Sequence, residues 1–224
     1  MEERSWEVEV PAGEHVLPGT LDLPHQPRGL VVFAHGSGSS RFSPRNRQVG
    51  EALRANGLGT LLMDLLTAEE DERDMRTGEL RFDIELLGER LIAAVDWVRG
   101  HPQASGLQVG CFGASTGAAA ALVAAARRPG DVHAVVSRGG RPDLAAGALP
   151  EVRAPTLFIV GSRDETVLDL NRRAMRVMRA PTELQVVPGA THLFEEPGAL
   201  ETVASLAAAW FLRNLRGREP GTWP

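Results

Sequence analysis

The stretch LQVGCFGASTGAAA, residues 107–120, contains the pattern that decides the fold. Its first half, through Cys111 and Phe112, has the apolar pattern of a short buried strand, and its second half has the composition of an alanine-rich helix. Between them lies GASTG at 113–117, a G-x-S-x-G motif, which predicts a sharp strand-to-helix turn with Ser115 at its apex. A glycine-rich chain can contain this pattern by chance, but the flanking strand and helix favour the turn.

The rest of the chain alternates short apolar runs with helical patterns. This alternation predicts an α/β fold with a mostly parallel central sheet of about seven to eight strands, covered by helices on both faces. The first two strands, 6–10 and 16–23, are expected to form an antiparallel edge.

The charged segment 68–79 is expected to be a mobile surface loop. The connection 137–154 is the one long enough to hold a cap, so the cap is predicted to be minimal or absent. Further strands are expected at 30–34, 60–64, 132–137, 156–160 and 184–187, and further helices at 44–56, 82–100, 168–178 and 198–215.

Length and composition bound the kind of protein. A chain of 224 residues suits one domain, predicted over 1–216, with a loose tail at 217–224. The net charge of −5 argues against a phosphate-binding surface, and we expect no nucleic-acid partner. Neither a signal peptide nor an apolar run of membrane-spanning length is recognisable, so we expect a cytoplasmic protein without a membrane partner, as a monomer or homodimer. The single cysteine, Cys111, excludes an internal disulfide.

The residue types also limit the chemistry. The chain has no lysine and no tyrosine, which excludes Schiff-base catalysis and acid–base roles for those two residues. The acidic residues Glu69, Glu70, Asp71 and Asp74 match no known metal-ligand spacing. We therefore expect neither a metal nor another cofactor.

Three polar residues follow predicted strands in the order Ser115, Asp164, His192. Serine is a poor nucleophile at neutral pH and needs a neighbouring imidazole to accept its proton, while a carboxylate orients that imidazole. The order serine, acid, histidine is the one found in α/β-hydrolases. Taken alone, Asp164 could instead cap the helix that follows it. Glu165 is the next candidate for the acid, and Glu195 a weaker one.

A glycine- and serine-rich loop, HGSGSSR at 35–41, follows the buried strand 30–34. A phosphate-binding loop is one alternative, but the G-x-x-x-x-G-K pattern is absent. An oxyanion loop fits better, in which the backbone N–H groups of Ser37 and Thr116 would stabilise a developing negative charge.

Four long motifs resemble those of small bacterial dienelactone-hydrolase-like proteins within the α/β-hydrolase superfamily. They are HGSGSSRFSPRN at 35–46, GASTGAA at 113–119, SRGGRPDLA at 137–145 and ATHLFEEPG at 190–198. The resemblance covers roughly residues 17–215 and implies the α/β-hydrolase fold with Ser115, Asp164 and His192 as its catalytic residues. Some members carry a phosphoribosyltransferase domain, for which this chain is too short. Dienelactone hydrolases proper use a cysteine nucleophile, whereas Ser115 occupies that position here, so the lactone substrate is not carried over.

These observations predict a serine hydrolase that cleaves small carboxylic esters. The same residues would also serve a lactone, thioester or peptide-bond hydrolase, and a hydrolase-fold binding module with little turnover is a further alternative. Arginine clusters in loops near the predicted site suit a substrate carboxylate or phosphate, although salt bridges between loops would explain them equally well. The candidate substrate contacts are Arg41, Arg45, Asn46, Arg138 and Arg141.

Overall fold

A single eight-stranded sheet runs through the part of the chain that the structure, a computed structural model, describes, namely residues 4–216. The strand order is β1-β2-β4-β3-β5-β6-β7-β8. The strands are β1 (Arg4–Ala12), β2 (His15–Leu23), β3 (Leu30–Ala34), β4 (Gly59–Met63), β5 (Val109–Ala114), β6 (Val132–Arg138), β7 (Thr156–Gly161) and β8 (Thr182–Val187). The helices are α1 (Pro44–Ala55), α2 (Ala68–Thr77), α3 (Ile84–Gly100), α4 (Thr116–Arg127), α5 (Glu165–Val177) and α6 (Ala199–Asn214).

The strand directions agree with the sequence pattern. β1 pairs antiparallel with β2, and β2 antiparallel with β4, while every pairing from β4 to β8 is parallel. The central strands β3, β4, β5 and β7 are buried along their whole length, as continuous apolar runs predict for strands covered on both faces. The prediction of a mostly parallel sheet with about seven to eight strands is confirmed.

Two apolar layers hold the helices on the sheet. On one face α1 and α6 pack through residues such as Val49, Leu53 and Phe211. On the other face α3, α4 and α5 pack through residues such as Leu91, Leu122 and Ala174. Because all the parallel strands end at one edge, the loops that follow β3, β5, β6, β7 and β8 gather there.

The connection after β6 forms no separate cap. It contains two 3-10 turns, Pro142–Ala145 and Leu149–Glu151, which pack beside α4 and α5. Ala145 and Leu149 are buried in the same apolar layer as those helices. The expectation of a minimal or absent cap is confirmed, and the edge of the sheet stays open.

The charged segment 68–79 was expected to be a loop, and this expectation is wrong: most of it is the helix α2. Thr67 begins the helix with a capping box, in which its hydroxyl accepts from Glu70 N and the Glu70 carboxylate accepts from Thr67 N. Gly78 ends it in the left-handed conformation. The buried carboxylate of Asp74 then accepts hydrogen bonds from Leu80 N, Arg81 N and Arg81 Nε. Capping and one buried ion pair stabilise this helix. It has no apolar stripe from which a helix could be predicted.

The predicted tail, residues 217–224, lies outside the described residues. Within residues 4–216, no helix combines the length and the apolar composition needed to cross a bilayer.

The capping box makes α2 sensitive to a single side chain. Replacing Thr67 by alanine removes the acceptor for Glu70 N, so we expect the free energy of unfolding to fall by about 1 kcal/mol. Urea denaturation of the wild type and Thr67→Ala measures the change, and Thr166→Ala, at an exposed threonine of α5, is the matched control. Equal stability of Thr67→Ala and Thr166→Ala would contradict the role of the cap.

Candidate active site

The turn between β5 and α4 holds Ser115 in a backbone conformation that non-glycine residues rarely adopt, with φ 51° and ψ −118°. The flanking glycines make this turn possible because there is no room for a side chain. A Cβ on Gly117 would lie 2.2 Å from the carbonyl oxygen of Ala34, and one on Gly113 would lie 2.4 Å from Ala118 Cα. The G-x-S-x-G pattern therefore has a physical basis in the close approach of these backbone segments.

The segment after β6 fixes the same serine from the other side. Ser115 N donates to the carbonyl oxygen of Arg138 at 3.1 Å, and Arg141 N donates to the carbonyl oxygen of Ser115 at 3.1 Å. Both backbone groups of the strained residue are thus hydrogen-bonded to one neighbouring segment. These two hydrogen bonds offset part of the backbone strain and fix the position of Ser115 Cα, from which the side chain projects.

His192 lies in the loop after β8, and its Nδ1 is 2.6 Å from Asp164 Oδ2. Asp164 precedes α5 but makes no side-chain capping hydrogen bond, so the alternative that it serves only as a helix cap does not hold. The Asp164 side chain is 15% exposed and that of His192 is 39% exposed. A shielded carboxylate therefore orients an imidazole that stays open to solvent. The weaker candidate acid, Glu195, instead pairs with Arg45.

Ser115 and His192 line the same cavity, which has a volume of about 190 Å³. It opens at the edge where the strands end, and no residue of the two 3-10 turns lines it. Its accessible lining surface is half polar and half apolar. The lining residues are Gly36, Ser37, Ser39, Ser43, Arg45, Asn46, Ala114, Ser115, Arg138, His192 and Leu193.

The loop after β3 packs directly against the serine. A Cβ on Gly36 would lie 3.2 Å from Ser115 Cβ, so the loop approaches as closely as a glycine allows. Ser39 N donates to the carbonyl oxygen of Gly36, which closes a tight turn with Gly38 at φ 64°. Ser37 N–H takes no part in that turn bond, and Thr116 is the first residue of α4, whose N–H has no acceptor within the helix.

His35 anchors this loop and was not singled out as a site residue by the sequence. Its Nδ1 donates to the carbonyl oxygen of Gly36, and its Nε2 accepts from Leu65 N, each at 3.0 Å. Burial lowers the pKa of His35, because the charged form would lose its hydration. The neutral ring thereby ties the turn at 36–39 to the connection between β4 and α2. Its position directly after a buried strand was the available signal.

The structure separates the five candidate substrate contacts into two groups. Arg45, Asn46 and Arg138 line the cavity with Ser115. Arg41 does not: its guanidinium pairs with Glu7 and Asp64 near the sheet edge formed by β1 and β2. Arg141 is held by both carboxylate oxygens of Asp143, at 2.9 and 2.7 Å, and is also absent from the lining. Nearby carboxylates neutralise Arg41 and Arg141, as the alternative of structural salt bridges predicts.

Cys111 is not placed to act as a nucleophile. It lies within β5, is fully buried, and burial raises the pKa of its thiol to about 12. Among residues 4–216 no group of three or more His, Cys, Asp and Glu side chains is arranged to hold a metal ion. Within the acidic segment, Glu70 pairs with Arg90 and Asp74 with Arg81.

Comparison with known proteins identifies the family to which the chain belongs. Residues 17–213 match the sequence model of the dienelactone hydrolase family. The chain belongs to this family. Together with the sheet order and the turn at Ser115, this gives the chain the α/β-hydrolase fold.

Two relatives from Mycobacterium tuberculosis, strains CDC 1551 / Oshkosh and H37Rv, are 57% identical to the chain over 217 residues and carry the provisional name phosphoribosyl transferase. The match covers 97% of the chain but 48% of each relative, so the chain spans about half of their length.

Solved structures agree with the fold. A crystal structure of a dienelactone hydrolase from Anabaena variabilis ATCC 29413 superposes with a TM-score of 0.95 at 56% identity, covering 96% of this chain and 100% of that one. Est1E from Butyrivibrio proteoclasticus superposes with a TM-score of 0.77 at 16% identity, covering 92% of this chain and 98% of that one. At 16% identity, the match to Est1E supports the assignment of the fold and no conclusion about activity.

The anchoring role of His35 predicts a pH dependence of stability. Because its pKa in the folded protein lies below the ordinary 6.5, the unfolded chain takes up a proton first as the pH falls. The contribution of His35 to stability is therefore complete above about pH 6.5 and decreases on acidification, by at most about 1.4 kcal/mol per pH unit. Urea denaturation from pH 8 to 5 of the wild type and His35→Asn checks this.

The informative quantity is the difference in unfolding free energy between the wild type and His35→Asn, since it cancels the contributions of the other histidines. It should be constant above about pH 6.5 and shrink below it. A difference that stays constant down to pH 5 would contradict the buried neutral state of His35.

Proposed function

We propose that this protein is a serine hydrolase that cleaves small carboxylic esters through an acyl-Ser115 intermediate. The supporting observation is one arrangement: a serine on a strained turn and an imidazole line the same open cavity, and the imidazole is oriented by a carboxylate 2.6 Å away. Each of these groups follows a different strand of one rigid sheet. Such an arrangement suits nucleophilic acyl transfer and is more than ligand binding alone requires.

The first half of the reaction depends on the tautomer of His192. Because Asp164 accepts a hydrogen bond from Nδ1, the proton of the neutral ring resides there and Nε2 is free to act as a base. Nε2 takes the hydroxyl proton of Ser115 as the oxygen attacks the ester carbonyl. In this proposal the negative charge on the carbonyl oxygen is stabilised by Ser37 N–H and Thr116 N–H, the latter at the positive end of the α4 dipole.

The second half returns the enzyme to its starting state. His192 gives its proton to the leaving alcohol as the ester C–O bond breaks, which leaves the acyl group on Ser115. Water then loses a proton to Nε2 and attacks the acyl carbonyl. The carboxylic acid departs and the serine hydroxyl is restored. Asp164 stabilises the imidazolium in both halves without being protonated itself.

The openness of the cavity supports a small, freely diffusing substrate. A cavity of about 190 Å³ without a cap above it accommodates a small acyl group and leaves little room for a long acyl chain. A lactone or thioester would react by the same steps, since both present a carbonyl carbon to Ser115. The provisional name of the longer relatives refers to proteins twice this length, and we propose no phosphoribosyl transfer for this chain.

The proposal is tested by the release of p-nitrophenol from acetate, butyrate and octanoate esters. Replacing Ser115 by alanine removes the nucleophile and should lower kcat/KM by about 10³-fold or more. Acetate should be the best of the three substrates because the cavity is small. Ser205→Ala, an exposed serine on α6, is the matched control and should behave as the wild type. Equal rates for the wild type and Ser115→Ala would overturn the esterase proposal.

A further inference from the structure

The cavity beside Ser115 has an uneven charge. Among the lining residues in the described part of the chain are two arginines and no carboxylate, although the whole chain carries a net charge of −5. Half of the accessible lining surface is apolar, and the charged part of it is entirely positive. An anion entering this cavity would therefore meet two guanidinium groups and no opposing carboxylate.

Arg138 is the more unusual of the two arginines. It is 7% exposed, and its Nε and Nη1 have no hydrogen-bond partner in the part of the chain that the structure describes. Burial, together with the positive charge of Arg45, lowers the pKa of Arg138 to about 10, so its side chain remains charged at neutral pH. An unpaired buried charge destabilises a fold, and a side chain kept in that state at a catalytic cavity indicates a missing anionic partner.

Arg45 adds a second cation on α1 and is only weakly neutralised. Its Nη1 lies 3.3 Å from Glu195 Oε1, but the Glu195 side chain is 64% exposed, so solvent screens that pair. Next to it, Asn46 is buried and its Oδ1 also has no hydrogen-bond partner among the described residues. The polar groups that Arg45 and Asn46 present to the cavity are thus available to a ligand.

The number of charges selects the kind of anion. A monoanion would neutralise one guanidinium and leave the other unmatched, whereas a dianion neutralises both. A phosphate monoester is close to dianionic at neutral pH and has three acceptor oxygens, which match the planar donor fork of arginine. The serine hydroxyls of the lining, such as those of Ser39 and Ser43, are further groups that can contact phosphate oxygens.

We infer that the substrates of this site are carboxylic esters that also carry a phosphate monoester, and that Arg138 and Arg45 bind that phosphate. The inference rests on the proposed ester hydrolysis at Ser115. The phosphate is a recognition group and is not cleaved. Water adds across the ester bond, giving a carboxylic acid and an alcohol, one of which retains the phosphate.

Binding of simple anions tests the phosphate site separately from catalysis. Isothermal titration calorimetry at pH 7.5 compares phenyl phosphate with benzoate, which carries one charge on the same ring. We expect the wild type to bind phenyl phosphate at least tenfold more tightly than benzoate. Arg138→Met should weaken phenyl phosphate binding by about 10- to 100-fold, the range for loss of a charge-assisted hydrogen-bonding group. Arg47→Met, an exposed arginine of α1 outside this cavity, should bind as the wild type does.

Thermal unfolding separates a ligand-binding role of Arg138 from a structural role, because the two predict changes in Tm of opposite sign. If Arg138 is kept for a ligand, removing its unpaired charge should raise the Tm of Arg138→Met above that of the wild type in phosphate-free buffer. A lower Tm with unchanged phenyl phosphate binding would show a structural role and overturn the inference. Should Arg138→Met fail to fold, Arg45→Met provides the same binding test with a more exposed side chain.

The outcomes separate this inference from the proposed function. Hydrolysis of p-nitrophenyl acetate without binding of phenyl phosphate would overturn the phosphate site and leave the esterase standing. Benzoate binding as tight as phenyl phosphate binding would also overturn it, in favour of a carboxylate site. Tight, Arg138-dependent binding of phenyl phosphate in a protein that hydrolyses no ester would support the phosphate site and contradict the esterase.

Discussion

The close approach of three backbone segments around Ser115 is the constraint on which the rest of the site depends. Gly117 brings the start of α4 against the end of β3, where even a methyl group would overlap the carbonyl oxygen of Ala34. Gly113 allows the same helix to fold back over β5. Ser115 can hold its positive φ because both its N–H and its carbonyl oxygen are hydrogen-bonded to the segment 138–141. Strain at the serine is thus maintained by the packing of the whole sheet edge.

The same hydrogen bonds explain why Arg138 lies where it does. Its carbonyl oxygen accepts from Ser115 N, so the residue is fixed at the end of β6, and its side chain lines the cavity beside Ser115. Fixing Ser115 and placing a buried charge next to it are therefore two results of one backbone arrangement. If the two proposals above hold, the unpaired charge of Arg138 serves substrate recognition and the strained backbone of Ser115 serves reactivity, and each lowers the stability of the fold. The large apolar layers on both faces of the sheet compensate for both losses.

Much of the fold and part of the site could be predicted from the sequence, because those features have local causes. Buried strands appear as apolar runs, and the turn at Ser115 appears as glycines at fixed spacing. The helix α2 could not be predicted from its apolar pattern, since a capping box at Thr67 and the buried pair of Asp74 with Arg81 stabilise it. Arg41 and Arg138 look alike in the sequence. Only the structure shows that carboxylates neutralise Arg41 and that the side chain of Arg138 has no such partner among residues 4–216.

Activation of Ser115 by His192 is the step on which the proposed chemistry depends, and active-site labelling tests it most directly. The protein is incubated with a fluorophosphonate, digested and analysed by mass spectrometry, beside a His192→Gln variant whose fold is checked by circular dichroism. We expect one adduct in the wild type, on the peptide containing Ser115, and its near-complete loss in folded His192→Gln. An adduct on another residue, or equal labelling of Ser115 in both proteins, would contradict activation of Ser115 by His192.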